Sequence, residues 1–181
     1  MPDIEKNHPY VVLARLAAER YLSGGIMPAN GLEVDKSAEL WNIRRACFVS
    51  IKTLSGDLRG CIGTILPARP SLDIEIIENA VSSSTRDPRF PPMKKAELDN
   101  VVFSVDVLSE PEKIPDKSML DVKKWGVIVS KGARRGVLLP DLDGVGTVDA
   151  QIEIASRKAG IFGGADGVTL ERFSVRRYPE E

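Results

Sequence analysis

Leu58-Arg59-Gly60-Cys61-Ile62-Gly63, preceded by Ala46-Cys47-Phe48-Val49-Ser50-Ile51-Lys52, is the stretch from which the fold is read. Both runs are β-prone, and Ser55-Gly56 between them suits a two-residue turn, so residues 44–66 read as a β-hairpin. That register sets Cys61 opposite Ser50 and Cys47 opposite Thr64. Side chains alternate along a strand, so the two cysteines are expected on opposite faces, beyond reach of a disulfide. Arg59 and Cys61 are expected on one face. Glycine inside a strand gives up packing and marks a bulge or a close approach by a backbone or a ligand; here two of them flank one thiol.

Outward from the hairpin, helices are expected on both sides. Tyr10, Leu13, Ala14, Ala17 and Tyr21 share a helical face, with Asn7 offering a cap, Pro9 in the first turn and Gly24-Gly25 as the stop. Ile26 to Asp35 reads as a loop or an extended arm. Ser71 caps a second helix carrying Asp73 and Glu75 in its first turn and an Ile74, Ile77, Val81 stripe, fading into Ser82-Ser83-Ser84-Thr85. The three prolines of Arg86-Asp87-Pro88-Arg89-Phe90-Pro91-Pro92 require an ordered loop. Val101, Phe103, Val105 and Val107 alternate as a strand. Residues 111–124 are a polar connector. A second hairpin is expected at 125–130 and 136–140, then a helix capped by Thr147 and ended by Gly160, a glycine-rich loop at 163–167, and a last strand over 168–178. This order of elements argues for an α+β fold with mostly antiparallel sheets flanked by helices.

The chain has 181 residues, 25 Lys+Arg against 26 Asp+Glu, and a net charge of −1, so no global field draws it to nucleic acid or an anionic membrane. No apolar run is long enough to span a bilayer, and the first residues lack the apolar core of a signal peptide. The expected location is the cytoplasm. One histidine and two cysteines do not supply a closed zinc site. Asp141-Leu142-Asp143-Gly144 lacks the further ligands of a calcium loop. Trp41 and Trp125 have no basic groove beside them and read as packing residues.

Three segments, Leu58-Arg59-Gly60-Cys61-Ile62-Gly63, Asp87-Pro88-Arg89-Phe90-Pro91-Pro92 and Gly132-Ala133-Arg134-Arg135-Gly136-Val137-Leu138-Leu139-Pro140, resemble in order and spacing the AMMECR domain family. The resemblance covers nearly the whole chain. It implies one AMMECR-type domain over residues 1–181, made of two intimate subdomains, the larger from both chain ends and the smaller from the middle, with a cleft between them near the first segment. It also implies partners, a Memo-like protein and a radical S-adenosylmethionine enzyme. It supplies neither a reaction nor a cofactor. The Ser82–Thr85 run is more polar than this resemblance leads one to expect.

The chemistry-bearing residues follow. Cys61 is the candidate nucleophile, with Arg59 as the cation that would favour its thiolate. His8, at the start of the first helix, is a poor general base for it, and a cationic imidazole there would oppose the helix dipole. Arg59, Arg86, Arg89, Arg134 and Arg135 present planar forks suited to carboxylate or phosphate, and backbone N–H groups around Gly60, Gly63 and Thr64 would add to an anion pocket walled by Asp87 and Phe90. The alternatives are ion pairing of Arg59 and Arg89 with Asp57 or Asp87, solvated turn positions for Arg86, Arg134 and Arg135, a structural crossing between subdomains for the Phe90 segment, and Cys61 as a small packed hydrophobe. Three functions are therefore expected in competition: a binding or accessory module for a small anionic ligand or a partner enzyme, an enzyme using Cys61 as a covalent or redox thiol, and a regulator of nucleic-acid processes, for which the balanced charge argues against direct binding.

Overall fold

The computed structural model describes residues 6–25, 42–162 and 167–181. The expected arm at 26–35, Trp41 and most of the glycine-rich loop lie outside the described residues. The chain divides into two compact units, residues 1–107 with 176–181, and residues 108–175.

The first unit contains α1 (Pro9–Gly24), β1 (Cys47–Thr53), β2 (Leu58–Gly63), α2 (Leu72–Thr85) and β3 (Val101–Leu108). Its sheet has the order β2-β1-β3-β8, where β8 is Val175–Pro179. β1 pairs antiparallel with both β2 and β3. Cys47, Val49 and Ile51 of β1 and Phe103 and Val105 of β3 bury one face of the sheet against Leu13, Ala14 and Ala17 of α1 and Ile76 and Ala80 of α2. A fully buried aliphatic or aromatic side chain contributes about 1.5–3 kcal/mol, so this layer is what holds the unit together.

The hairpin differs from the expected one in an instructive way. Thr53 N–H donates to Asp57 O at 2.8 Å, which leaves a three-residue loop, Leu54-Ser55-Gly56, with Gly56 at φ 92°. Lys52 then pairs with Leu58, while Ile51 pairs with Gly60, so Arg59 is an extra residue on β2. The longer loop and the bulge cancel, and Cys61 still stands opposite Ser50. Both cysteines are free, Cys47 buried and Cys61 partly exposed.

Two helix ends also depart from expectation. The cap of α1 is His8, whose Nδ1 accepts from Tyr10 N–H at 3.3 Å; Asn7 instead accepts from Glu181 N–H at 2.8 Å. α2 does not fade at the serines but runs through Thr85, because Ser84 and Thr85 hydroxyls donate back to Ala80 O (2.8 Å) and Val81 O (2.7 Å).

The second unit contains β4 (Glu112–Ile114), β5 (Gly126–Lys131), β6 (Arg134–Leu138), α3 (Val148–Lys158) and β7 (Thr169–Phe173), with sheet order β4-β7-β5-β6 and antiparallel pairings. α3 packs on β5 and β6, and Val127, Val129, Leu138 and Ala155 form its core with Ile114 and Ile161. Thr147 caps α3 through Ala150 N–H (3.2 Å), as its sequence position predicts. The single strand expected over 168–178 is two strands, β7 and β8, in different sheets. Ser174 separates them: its carbonyl accepts from Ser109 N–H at 3.0 Å, and its own N–H donates to Ser109 Oγ at 2.9 Å. No helix among the described residues is long and apolar enough to cross a membrane.

Candidate functional site

Of the residues singled out from sequence, Arg59, Gly60, Cys61, Gly63, Thr64, Asp87, Arg89 and Phe90 lie in the first unit, on and around β2. As the sheet's edge strand, β2 presents backbone groups that need partners. At Cys61 these come from side chains. Cys61 N–H donates to Asp87 Oδ2 at 2.8 Å, and Arg89 donates to Cys61 O at 3.3 Å. Asp87 and Arg89 are themselves joined: Arg89 Nε reaches Asp87 Oδ1 at 3.0 Å, a terminal nitrogen reaches Oδ2 at 2.7 Å, and Arg89 N–H reaches Oδ1 at 3.1 Å. The rigid Asp87-Pro88-Arg89 loop thus does for Cys61 what a neighbouring strand would do.

This accounts for the electrostatics. Asp87 is buried, yet the Arg89 guanidinium, helped by the two backbone N–H groups, holds its carboxyl well below the usual aspartate range. The same pair holds Arg89 cationic. The Asp87 carboxylate lies where an external anion would meet the outward N–H of β2.

Arg59 turns elsewhere. Its Nε donates to Glu97 Oε2 at 2.8 Å, and a terminal nitrogen reaches Glu97 Oε1 at 3.2 Å and Pro91 O at 3.1 Å. Arg59 lowers the Glu97 carboxyl in turn, and Glu97 Oε1 also accepts from Lys94 N–H at 2.7 Å. The guanidinium that touches the Cys61 backbone is therefore that of Arg89. Phe90 lies by both cations, 5.6 Å from Arg89 and 6.0 Å from Arg59.

The two glycines answer to packing. A Cβ on Gly60 would meet Ser83 O of α2 at 2.1 Å, and one on Gly63 would meet the Phe48 ring at 2.3 Å and Cys47 O at 2.5 Å. Ser83, which the sequence reading placed only within a polar run, accepts from Ile62 N–H at 2.8 Å and donates to Val49 O at 2.7 Å. Thr64 donates to Glu75 Oε1 at 2.5 Å, and Glu75 Oε2 accepts from the N–H groups of Ala68 (2.9 Å) and Arg69 (2.8 Å). Glu75, Ser83 and Glu97 are the polar residues that sequence reasoning missed as parts of this region. The serine run is the signal for Ser83, and the first-turn position of Glu75 signals only an acidic residue favourable to the helix dipole.

The Cys61 thiol is partly exposed and accepts from Ser50 Oγ at 3.2 Å. Arg134 and Arg135 belong to the second unit, where Arg134 donates to Gly160 O at 2.7 Å and Arg135 pairs with Glu171 at 2.7 Å. Among the described residues no group of three or more histidine, cysteine or carboxylate side chains is placed to hold a metal ion.

The AMMECR1 family model matches residues 11–178. A Thermotoga maritima protein is 50% identical over 173 residues, covering 94% of this chain and 97% of that protein. A Clostridium acetobutylicum protein is 45% identical over 176 residues, covering 97% of this chain but 37% of the longer relative. The crystal structure of the uncharacterized protein PH0010 from Pyrococcus horikoshii superposes with a TM-score of 0.82 at 31% identity, over 95% of this chain and 90% of that one. The chain belongs to the AMMECR1 family.

Proposed function

We propose that this chain is a binding or accessory module whose first unit presents Arg89 and Phe90, held beside the Cys61 strand, to an anionic group on a small molecule or on a partner enzyme. The observation that carries the reading is the state of Arg89: its guanidinium is fixed by Asp87, yet its side chain is 54% exposed. A cation held in one orientation loses little freedom on meeting a carboxylate or phosphate. The long Clostridium relative supports the module reading, since there the matched region is 37% of a larger protein. The resemblance to the AMMECR domain family adds a Memo-like protein and a radical S-adenosylmethionine enzyme as the partners to try, in the cytoplasm. Arg59 acts here as the wall that seats Phe90, Gly60 lets β2 approach α2, Gly63 makes room for the Phe48 ring and Cys47 O of β1, and Thr64 ties the end of β2 to Glu75 of α2.

The test is binding of purified Memo-like protein, radical enzyme, inorganic phosphate and citrate to the wild-type chain and to Arg89→Gln and Phe90→Ala variants. Binding of at least one probe, weakened about tenfold or more in both variants, is expected. Binding unaffected by both substitutions, or none to any probe, overturns the reading.

The second reading, an enzyme using Cys61 as a covalent or redox thiol, is favoured by one observation, the Ser50 hydroxyl directed at Sγ. Against it, the single histidine has Nδ1 engaged at the α1 cap. Rapid alkylation of Cys61 near neutral pH, slowed in Ser50→Ala, would support it, and a native thiol that resists alkylation would exclude it.

A further inference from the structure

His8 is the chain's single histidine, and it begins α1 in an arrangement that only the neutral imidazole satisfies. Pro9 has no N–H, so the first orphan donor of the helix is Tyr10 N–H, and His8 Nδ1 accepts it at 3.3 Å. For Nδ1 to accept, the ring proton must sit on Nε2. The ring is half-buried and lies against Tyr178 of β8 at 4.1 Å and Tyr10 at 4.7 Å between centroids. Tyr10 and Tyr178 meet edge to face at 5.0 Å. Arg176 of β8 lies over the Tyr178 ring at 5.3 Å. Glu181, just beyond β8, donates its N–H to Asn7, the residue before His8. The start of α1 and the return strand β8 are thus fastened to each other around this imidazole.

We propose that His8 is an acid-sensitive latch: a proton on Nδ1 removes the cap of α1 and loosens the seat of Tyr178 and β8 upon it. Three effects act in one direction. The new N–H at Nδ1 faces the Tyr10 N–H, donor against donor. An imidazolium at a helix N-terminus opposes the helix dipole. Arg176 adds like-charge repulsion. Among the described residues, the groups that face the ring are Tyr10 on its own helix and Tyr178 with Arg176 on β8; Cys47 of β1 acts on Tyr10 from the core side, and Lys6 is exposed two residues earlier. Burial, then Arg176, pulls the imidazole below its ordinary 6.5. The folded state therefore prefers the neutral ring, the latch is fully closed above 6.5, and it weakens as pH falls from there through the folded value.

The experiment follows the single imidazole by NMR while measuring exchange of the Tyr10 amide, corrected for the intrinsic pH dependence of exchange, at about pH 7.5 and about pH 5. In the wild type the protection of Tyr10 is expected to fall roughly fivefold as the ring titrates, the loss associated with removing an N-cap. In His8→Asn, which caps without titrating, protection stays constant; in His8→Ala it is low at both values. Wild-type protection that stays constant while the ring is seen to titrate, or a ring titrating above 6.5, overturns the proposal. If His8→Ala does not fold, the comparison of wild type with His8→Asn decides alone.

Discussion

The carbonyl oxygen of Ser83 stands 2.1 Å from where a Cβ on Gly60 would lie. The first glycine of the Leu58–Gly63 segment is thereby explained by the approach of α2 to the edge strand β2. The second unit repeats the device, with Gly136 of β6 under Ala155 O of α3 at 1.9 Å. Backbone cannot yield as a flexible side-chain tip does, so Gly60→Ala is expected to destabilise the protein by about 3 kcal/mol, at the upper end of ordinary overpacking. Gly24→Ala, with no described residue within 4 Å of its Cβ, is expected to be neutral or stabilising by up to about 1 kcal/mol. Urea unfolding of the two variants checks the contrast. Equal midpoints would mean that α2 is free to move away from β2.

Ser83 itself links helix to sheet. Its hydroxyl serves Ile62 N–H and Val49 O, both within the β1–β2 pairing. Ser83→Ala removes a buried partner from each, at a cost of about 1–3 kcal/mol. Hydrogen exchange locates the effect: the Ile62 amide is expected to exchange faster relative to core amides of β3, such as Val105. Ile62 protection unchanged relative to Val105 would assign the hydroxyl no role in the ladder.

Period-two alternation made the β1–β2 pairing and the opposed cysteines legible, because the face assignment survives any even number of errors. It survived here only because two errors cancelled, the loop being one residue longer and Arg59 bulging. Bulges and caps depend on local hydrogen bonds that residue types alone underdetermine: Asn7 is the better cap by type, but the packing of His8 on Tyr178 decided otherwise. The expected strand over 168–178 is split for a similar reason, since nothing in the residue types around Ser174 marks a break, while β7 and β8 pair in different sheets. At the candidate site the sequence named Arg59, Cys61, Asp87, Arg89 and Phe90. It did not show that Arg59 would choose Glu97, 38 residues away, over the nearer Asp57.

Acid should reveal the Asp87–Arg89 bracket. Asp87 has a folded pKa depressed below its ordinary 3.8, chiefly by Arg89. A depressed carboxylate contributes stability that is fully present above 3.8 and is lost as pH falls through the folded value. Glu97, lowered by Arg59, acts in the same sense below 4.5. Asp87→Asn is therefore expected to lower stability at neutral pH, by about 1–3 kcal/mol through the weakened hold on Cys61 N–H and Arg89. It is also expected to flatten the fall in stability below pH 4. Denaturant midpoints from about pH 7 to about pH 2.5 check both. An acid limb as steep in Asp87→Asn as in the wild type would assign the acid sensitivity to other carboxylates.

The two thiols offer the sharpest contrast within one sheet. Cys47 lies in the core, where burial pushes its thiol up to about 12 although Asn79 Nδ2 donates to its sulfur at 3.4 Å. A buried thiol that stays protonated at neutral pH is not a nucleophile. Cys61, on the opposite face, is partly exposed. Iodoacetamide on the native protein near pH 8 is expected to add one adduct, mapped to Cys61 by peptide mass analysis, and a second only after denaturation. Asn79→Ala should leave this pattern intact, because burial and not the amide sets the inertness of Cys47. A native adduct on Cys47 ahead of Cys61 would mean that α2 opens from β1 more readily than the β2 edge admits reagent, and would reverse the assignment of the accessible thiol.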